Sequence, residues 1–284
     1  MPGVAVITDT DSSLPMDLVA RYKIRQVPIN IHFGAETMAA VEEIDDARLF
    51  ARVDQEGKLP TTSAPSPGKF AQAYQAAFDA GADEVVCFTV SSKVSAVYNA
   101  ALDACELLHA KTIRVVDTEH LSMGQGFMVL AAAEAALNGA SSQEVINQAK
   151  DVGKRVKLLV ALATLKYLAM SGRVGHLAYG IANLLDVRPL LTVREGKLDM
   201  LERARTQGKA WRRVIELTRQ AVEEKGIERL AILHVDASQQ ARTFQQQLSL
   251  VVKLPEAVIT AELTPGLSVH SGSGVVGVSF VVGK

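Results

Sequence analysis

Two clusters of side-chain hydroxyls, Thr61-Thr62-Ser63 and Ser91-Ser92 with Ser95, each stand just ahead of a helical pattern. The first lies in LPTTSAPSPGK, where Pro60, Pro65 and Pro67 stiffen the backbone and Ser66-Pro67 reads as an N-cap followed by an N1 proline. Hydroxyls on a stiff segment near helix starts suit an anion, and a carboxylate or phosphate is the natural guest. The same residue types also cap ordinary turns. Asp9, Asp11 and Ser12 follow the first apolar run, where an open α/β sheet carries ligand contacts, and Asp11 or Ser12 also suits an N-cap. Arg173 follows Gly172, and His270 opens the Gly-rich stretch HSGSG. These types contain the parts of a Ser-dependent hydrolase or acyltransferase, with Ser95 or Ser63 as nucleophile, His270 as base and Asp9 or Asp117 as orienter. No G-x-S-x-G elbow surrounds any serine, and hydroxyls in clusters fit hydrogen bonding better than nucleophilic attack.

The elements that must position these residues follow from periodicity. Strands are predicted over 4–7, 27–33, 84–90 and 112–116, with helices after 14, over 45–53, from 66 to 80, from 95 to 108 and over 126–137. Ser141 with Glu144 forms a capping box that opens a helix running to about 155. Gly124 and Gly126 make half of a dinucleotide fingerprint, after the wrong strand and without the third glycine, and read instead as close helix packing. Repeated βα units predict an α/β fold, with a doubly wound, mostly parallel sheet in the N-terminal domain, residues 1–154. An α+β C-terminal domain, residues 155–284, is predicted from a strand near 158–162, an apolar helix-like segment over 177–185 and a hairpin turning at Glu195-Gly196. Helices over 208–225 and 238–248, strands over 230–235 and 258–263, a Gly-rich loop at 270–274 and a strand over 275–282 complete it.

With 48% hydrophobic and 21% charged residues among 284, the chain has the composition of a globular protein with a substantial core. A net charge of −1 and a pI near 6.6 argue against binding nucleic acid or an anionic membrane through bulk charge. Cys87 and Cys105 lack metal-ligand spacing and read as reduced core thiols, so neither metal nor cofactor is expected. No leader pattern or membrane-spanning run is present, and the expected location is cytoplasmic.

The motifs PTTSAPSPG (60–68), SSKVSAVYNAA (91–101), DTEHLSMGQG (117–126), LKYLAMSGRVG (165–175), RPLL (188–191), RARTQGKA (203–210) and HSGSG (270–274), with the opening VAVITDTDSSL, together resemble the DegV family. The resemblance implies a two-domain protein that holds one long-chain fatty acid between its domains and presents it to a separate fatty acid kinase for acyl phosphate formation. Carried over by residue, it implies that Thr62, Ser63 and Ser95, with Thr61 and Ser92, hold the carboxylate. It implies that Arg173 and His270 stand at the mouth, supporting phosphoryl transfer, and that this chain is not itself an enzyme. The alternative is a hydrolase or acyltransferase acting on a lipid acyl group. Two departures from the family pattern are Ala96-Val97, in place of glycine and threonine, and Ser273, in place of proline in a Gly-Pro-Gly.

Overall fold

The computed structural model describes residues 3–108, 112–173 and 187–284. The predicted helix-like segment over 177–185 lies outside the described residues. In chain order the first half comprises β1 (Val4–Asp9), a 3-10 turn (Thr10–Ser12), α1 (Met16–Arg21), β2 (Arg25–Val27), β3 (Asn30–Phe33), β4 (Glu36–Ala39), α2 (Asp46–Glu56), β5 (Thr61–Ser63), α3 (Pro67–Asp79), β6 (Glu84–Thr89), α4 (Val97–Glu106), β7 (Thr112–Asp117), α5 (Met123–Leu137) and α6 (Ser142–Arg155). The second comprises β8 (Val156–Ala161), α7 (Lys166–Met170), β9 (Arg188–Arg194), β10 (Lys197–Ala204), α8 (Gln207–Val222), β11 (Ile227–His234), α9 (Ser238–Ser249), β12 (Val258–Glu262), α10 (Pro265–Ser271) and β13 (Val276–Val282).

Strands β2-β1-β6-β7 form an all-parallel sheet, as the buried Val-rich runs of β1 and β6 require. The chain moves outward from β1 to β2, then returns to the other side of β1 for β6 and β7. This leaves a topological switch point between β1 and β6, the place where open α/β sheets bind ligands. The second sheet, ordered β10-β9-β8-β13-β11-β12, is mixed, with only β11 and β12 parallel. The fold is therefore α/β, a parallel N-terminal sheet followed by a mixed C-terminal one, as the periodicities predict.

Between the sheets lies α5. Its residues Met123 to Ala133 are buried on every side, and it packs against β1 and β6 of one sheet and β8, β11 and β13 of the other. Its Ala- and Gly-rich sequence allows that approach: a Cβ on Gly126 would stand 2.8 Å from the Ser12 carbonyl oxygen. The two small glycines therefore serve packing, not a dinucleotide.

Three local expectations need correction. The run VPINIHF is not one strand, because Pro28 has no N–H for a ladder; β2 ends at Val27 in the parallel sheet, and β3 belongs to a separate antiparallel sheet, β4-β3-β5. The first hydroxyl cluster is not a free loop but strand β5, with Thr62 opposite Ile31 on the open edge of β3. The stretch starting at His270 is not purely a loop, since His270 and Ser271 end helix α10, which Pro265 opens at N1.

Candidate functional site

At the switch point, Asp9 ends β1 and ties it to β6. One oxygen accepts from the Val90 amide (2.8 Å) and from Gln125 Nε2 (3.1 Å), and the other accepts from the Asp11 amide (2.9 Å). Asp9, rather than Asp11 or Ser12, is thus the cap of the turn that follows. Burial pushes its carboxyl up to about 6, against the pull of these donors. Burial and the Asp9 charge hold the Asp11 carboxyl well above the usual carboxylate range.

A cavity of about 570 Å³ opens over this point, within the ~300–1,000 Å³ typical of small-molecule sites. Both halves of the chain line it. The mixed sheet and its connections contribute an aliphatic wall that includes Leu158, Val160, Leu191, Leu233, Leu263 and Val275. The polar lining includes Asp11, Thr62, Ser92, Ser95, Ser122, Arg173 and His270.

Strand alternation separates the three hydroxyls of β5. Thr62 lines the cavity, and its Oγ1 lies 3.0 Å from His270 Nε2. Ser63 also touches the cavity, yet its hydroxyl is engaged by His32 Nε2 (2.8 Å) and by Asn30 Nδ2 (3.2 Å). Thr61 pairs with His32 in the small sheet, is exposed, and is not among the described lining residues.

The second cluster divides in the same way. Ser91 is buried, and its hydroxyl donates to the Gly196 carbonyl (2.7 Å), docking the β9–β10 hairpin turn onto the loop after β6. Ser92, whose amide donates to Asp117 (3.2 Å), and Ser95, whose Oγ accepts from the Val97 amide (3.4 Å), both line the cavity. Ala96 stands at the cap of α4 and lines the cavity too, with no side-chain cap bond.

Arg173 is placed by the end of α7. Gly172 takes φ +73, its amide donates to the Ala169 carbonyl (3.1 Å), and the Arg173 amide donates to the Leu168 carbonyl (2.8 Å). This paired closure is the Schellman ending, whose left-handed position favours glycine. His270 is placed by α10, which Gly272 terminates at φ +82 against the ring of Tyr167. Burial, helped by the charge of Arg173, pushes His270 down to about 3, so the imidazole is neutral at physiological pH.

The pieces of a nucleophilic triad are not assembled. His270 pairs with Thr62 rather than Ser63 or Ser95, and its buried Nδ1 has no hydrogen-bond partner among the described residues. Asp9 is committed to Val90, Asp11 and Gln125, and Asp117 accepts from the amides of Ser92 and Glu119. Among the described residues no group of three His, Cys, Asp or Glu could hold a metal, and no helix is long and apolar enough to cross a membrane. Cys87 and Cys105 are both free, and burial pushes both thiols up.

Periodicity alone missed α10, although Thr264-Pro265 ahead of apolar residues carries the helix-start signal. It also missed Ser122, which lines the cavity from the start of α5 with a left-handed φ of +50. No spacing marks a serine for that conformation.

Comparison with known proteins agrees with this architecture. The sequence profile described as "Uncharacterised protein, DegV family" matches residues 3–283. A DegV domain-containing protein of Mycobacterium tuberculosis is 35% identical over 283 residues, spanning 99% of this chain and 98% of its own. A Thermus thermophilus DegV family protein, described as fatty acid binding, superposes with a TM-score of 0.90 at 30% identity, over 99% of this chain and 100% of its own. DegV of Bacillus subtilis, described as a fatty acid binding protein, gives 0.89 at 26% identity over 99% and 100%. Profile, relatives and fold extend together from one end of the chain to the other, with the hydroxyl strand, the Gly-Arg helix ending and the histidine helix around one cavity, and the chain belongs to the DegV family.

Proposed function

We propose that the protein binds one long-chain fatty acid, with its carboxylate at Thr62, Ser95 and Ser92 and its acyl chain along the aliphatic wall, and presents the head group to a separate kinase. The observation that carries this reading is a single cavity joining an aliphatic wall to uncharged hydroxyl donors, with Arg173 as a cation in the lining. A buried carboxylate needs hydrogen bonds, and hydroxyls supply them without a buried ion pair. Burying roughly fifteen methylenes at about 0.8 kcal/mol each offers a gross term near 12 kcal/mol, before association and ordering costs reduce it. The tail therefore supplies affinity, and the head group supplies orientation. The fatty acid relatives of Thermus and Bacillus support the ligand class.

In this reading Ser63 acts through its bonds to His32 and Asn30, holding β5 in register, and Thr61 contributes as a strand residue. In transfer, a carboxylate oxygen would bond to the γ-phosphorus of ATP as the bond to ADP breaks. Arg173, exposed at the cavity, would face the growing negative charge, and neutral His270 would orient Thr62. The chain itself supplies binding and presentation, and the kinase supplies the nucleotide.

The test is denaturing extraction of the purified full chain with mass spectrometry of the released molecules, followed by calorimetry of the delipidated protein. Stoichiometric fatty acid, or its rebinding, is expected; a chain that neither carries nor takes up fatty acid overturns the reading. For the kinase step, acyl phosphate should form from radiolabelled hexadecanoic acid only when chain, a bacterial fatty acid kinase and ATP are combined. Equal product without this chain would remove the presenting role.

A further inference from the structure

We infer that Asp11, as its neutral acid, is a head-group residue whose carboxyl donates a hydrogen bond to the carboxylate of the bound fatty acid, with Ser122 beside it. This rests on the fatty-acid reading and adds to it a residue that the hydroxyl clusters do not include.

Asp11 and Ser122 both line the cavity and are only 5% and 1% exposed. Asp11 Oδ1 and Ser122 Oγ are buried with no hydrogen-bond partner among the described residues. They are neighbours, since the Ser122 amide donates to the Asp11 carbonyl at 2.8 Å. Ser122 is moreover held at φ +50, a strained conformation for a non-glycine residue that recurs where ligands bind. Gly266 of α10 lies directly over the orphaned oxygen: a Cβ there would stand 2.2 Å from Asp11 Oδ1, and Gly266 lines the cavity as well. Only a residue without a side chain lets α10 pack this closely on the Asp11 carboxyl at the cavity wall.

Chemistry decides the protonation state of the pair. Asp9 accepts three hydrogen bonds, two from backbone amides and one from Gln125, so it is the carboxyl equipped to carry charge. A second charge two residues away, buried and without its full set of partners, is strongly disfavoured, and the pair shares one negative charge. Burial and the neighbouring Asp9 accordingly hold Asp11 well above the usual carboxylate range. A hydrogen bond with Thr264 and the positive charge of Arg173 pull Asp11 back down, but burial and Asp9 outweigh them; the Arg173 charge also acts on His270, which puts Asp11 in the neighbourhood of the Thr62–His270 pair. A neutral acid there is an O–H donor facing an acceptor-only ligand group, whereas an ionised one would repel it.

The experiment is calorimetric titration of the delipidated full chain with hexadecanoic acid, comparing wild type with Asp11→Asn, Asp11→Leu and Gly266→Ala. Asn keeps a neutral donor and should bind within about threefold of wild type, and Leu, which has none, should bind at least ~10-fold more weakly. The methyl of Gly266→Ala displaces the Asp11 carboxyl and should weaken binding in the same direction, which covers the case of a poorly folded Leu variant. Tighter binding by both Asp11 variants, the sign of an ionised repelling Asp11, overturns the proposal, as does affinity unchanged in all three. Infrared difference spectra with carboxyl-labelled ligand add a readout on the wild type: binding should perturb a protonated carboxyl band that Asp11→Asn lacks, and a wild-type spectrum without such a ligand-sensitive band overturns it. Wild-type protein that binds no hexadecanoic acid overturns the fatty-acid reading itself, a different result from binding that ignores Asp11.

Discussion

His270 and Asp46 sit on and against the same short helix and respond to pH in opposite directions. His270 is pushed down to about 3 in the folded chain from an ordinary 6.5, so between these values the unfolded state binds a proton that the folded state refuses. Stability is therefore intact above about 6.5 and falls as pH is lowered, by about 2 kcal/mol at pH 5. In His270→Gln the loss between pH 7 and 5 should shrink, read as melting temperature against pH. Asp46 accepts from the Ser268 hydroxyl, and burial pushes it up to about 8 from an ordinary 3.8. Here the folded state holds the extra proton, so the contribution is full below about 4 and disappears as pH rises through about 8. Asp46→Asn, which keeps an oxygen for Ser268 but cannot ionise, should remove the fall between about pH 4 and 8 that Asp46 contributes to the same curve. Unchanged profiles in the two variants would assign the pH response to other groups.

At the level of elements, the site depends on how short helices end. Gly272 closes α10 at φ +82, and a Cβ there would stand 2.3 Å from the Tyr167 ring on α7. Gly272→Ala therefore meets both a backbone penalty and a collision, and should cost about 1–3 kcal/mol in urea unfolding. Because α7 also delivers Arg173, the variant should weaken fatty acid binding along with stability; a stable variant with lost binding would separate the two effects. The β9–β10 hairpin makes the complementary contact. Its turn, with φ +49 at Glu195 and +76 at Gly196, has the form that hairpin twist favours, and its Gly196 carbonyl accepts from buried Ser91. Ser91→Ala should cost about 1 kcal/mol, measured by the same unfolding midpoint.

Across the whole molecule, α5 joins the two sheets through an apolar surface that neither could leave exposed. A division near residue 154 falls at the junction of α6 and β8, yet one continuous core runs from Val6 of β1 to Val281 of β13. A fragment of residues 1–154 would expose the face of α5 that packs on β8, β11 and β13, and we expect it to lack a cooperative unfolding transition. The full chain should instead unfold in a single step. Fatty acid at about 100 times its Kd should raise its stability by about 2.7 kcal/mol as a whole. Two transitions, one of them insensitive to fatty acid, would contradict this shared core.

Elements whose cause is local are legible in the residues alone. The capping box at Ser141 and Glu144, the N-cap at Ser66 with Pro67, the hairpin at Glu195-Gly196 and the βα alternation all depend on residues a few positions apart, and all form where periodicity puts them. The residues alone also mark both hydroxyl clusters and the motifs that resemble a family. Which hydroxyls face the cavity depends instead on pairing between distant segments. Strand pairing of β5 with β3, which brings Thr62 opposite Ile31, turns Thr62 toward His270 and engages Ser63 with His32. The same holds for Asp11, whose buried environment is set by Asp9, by Ser122 and by Gly266, far along the chain on α10. Burial and pairing are properties of contacts between distant segments, and those contacts exist only once the two sheets have closed around α5.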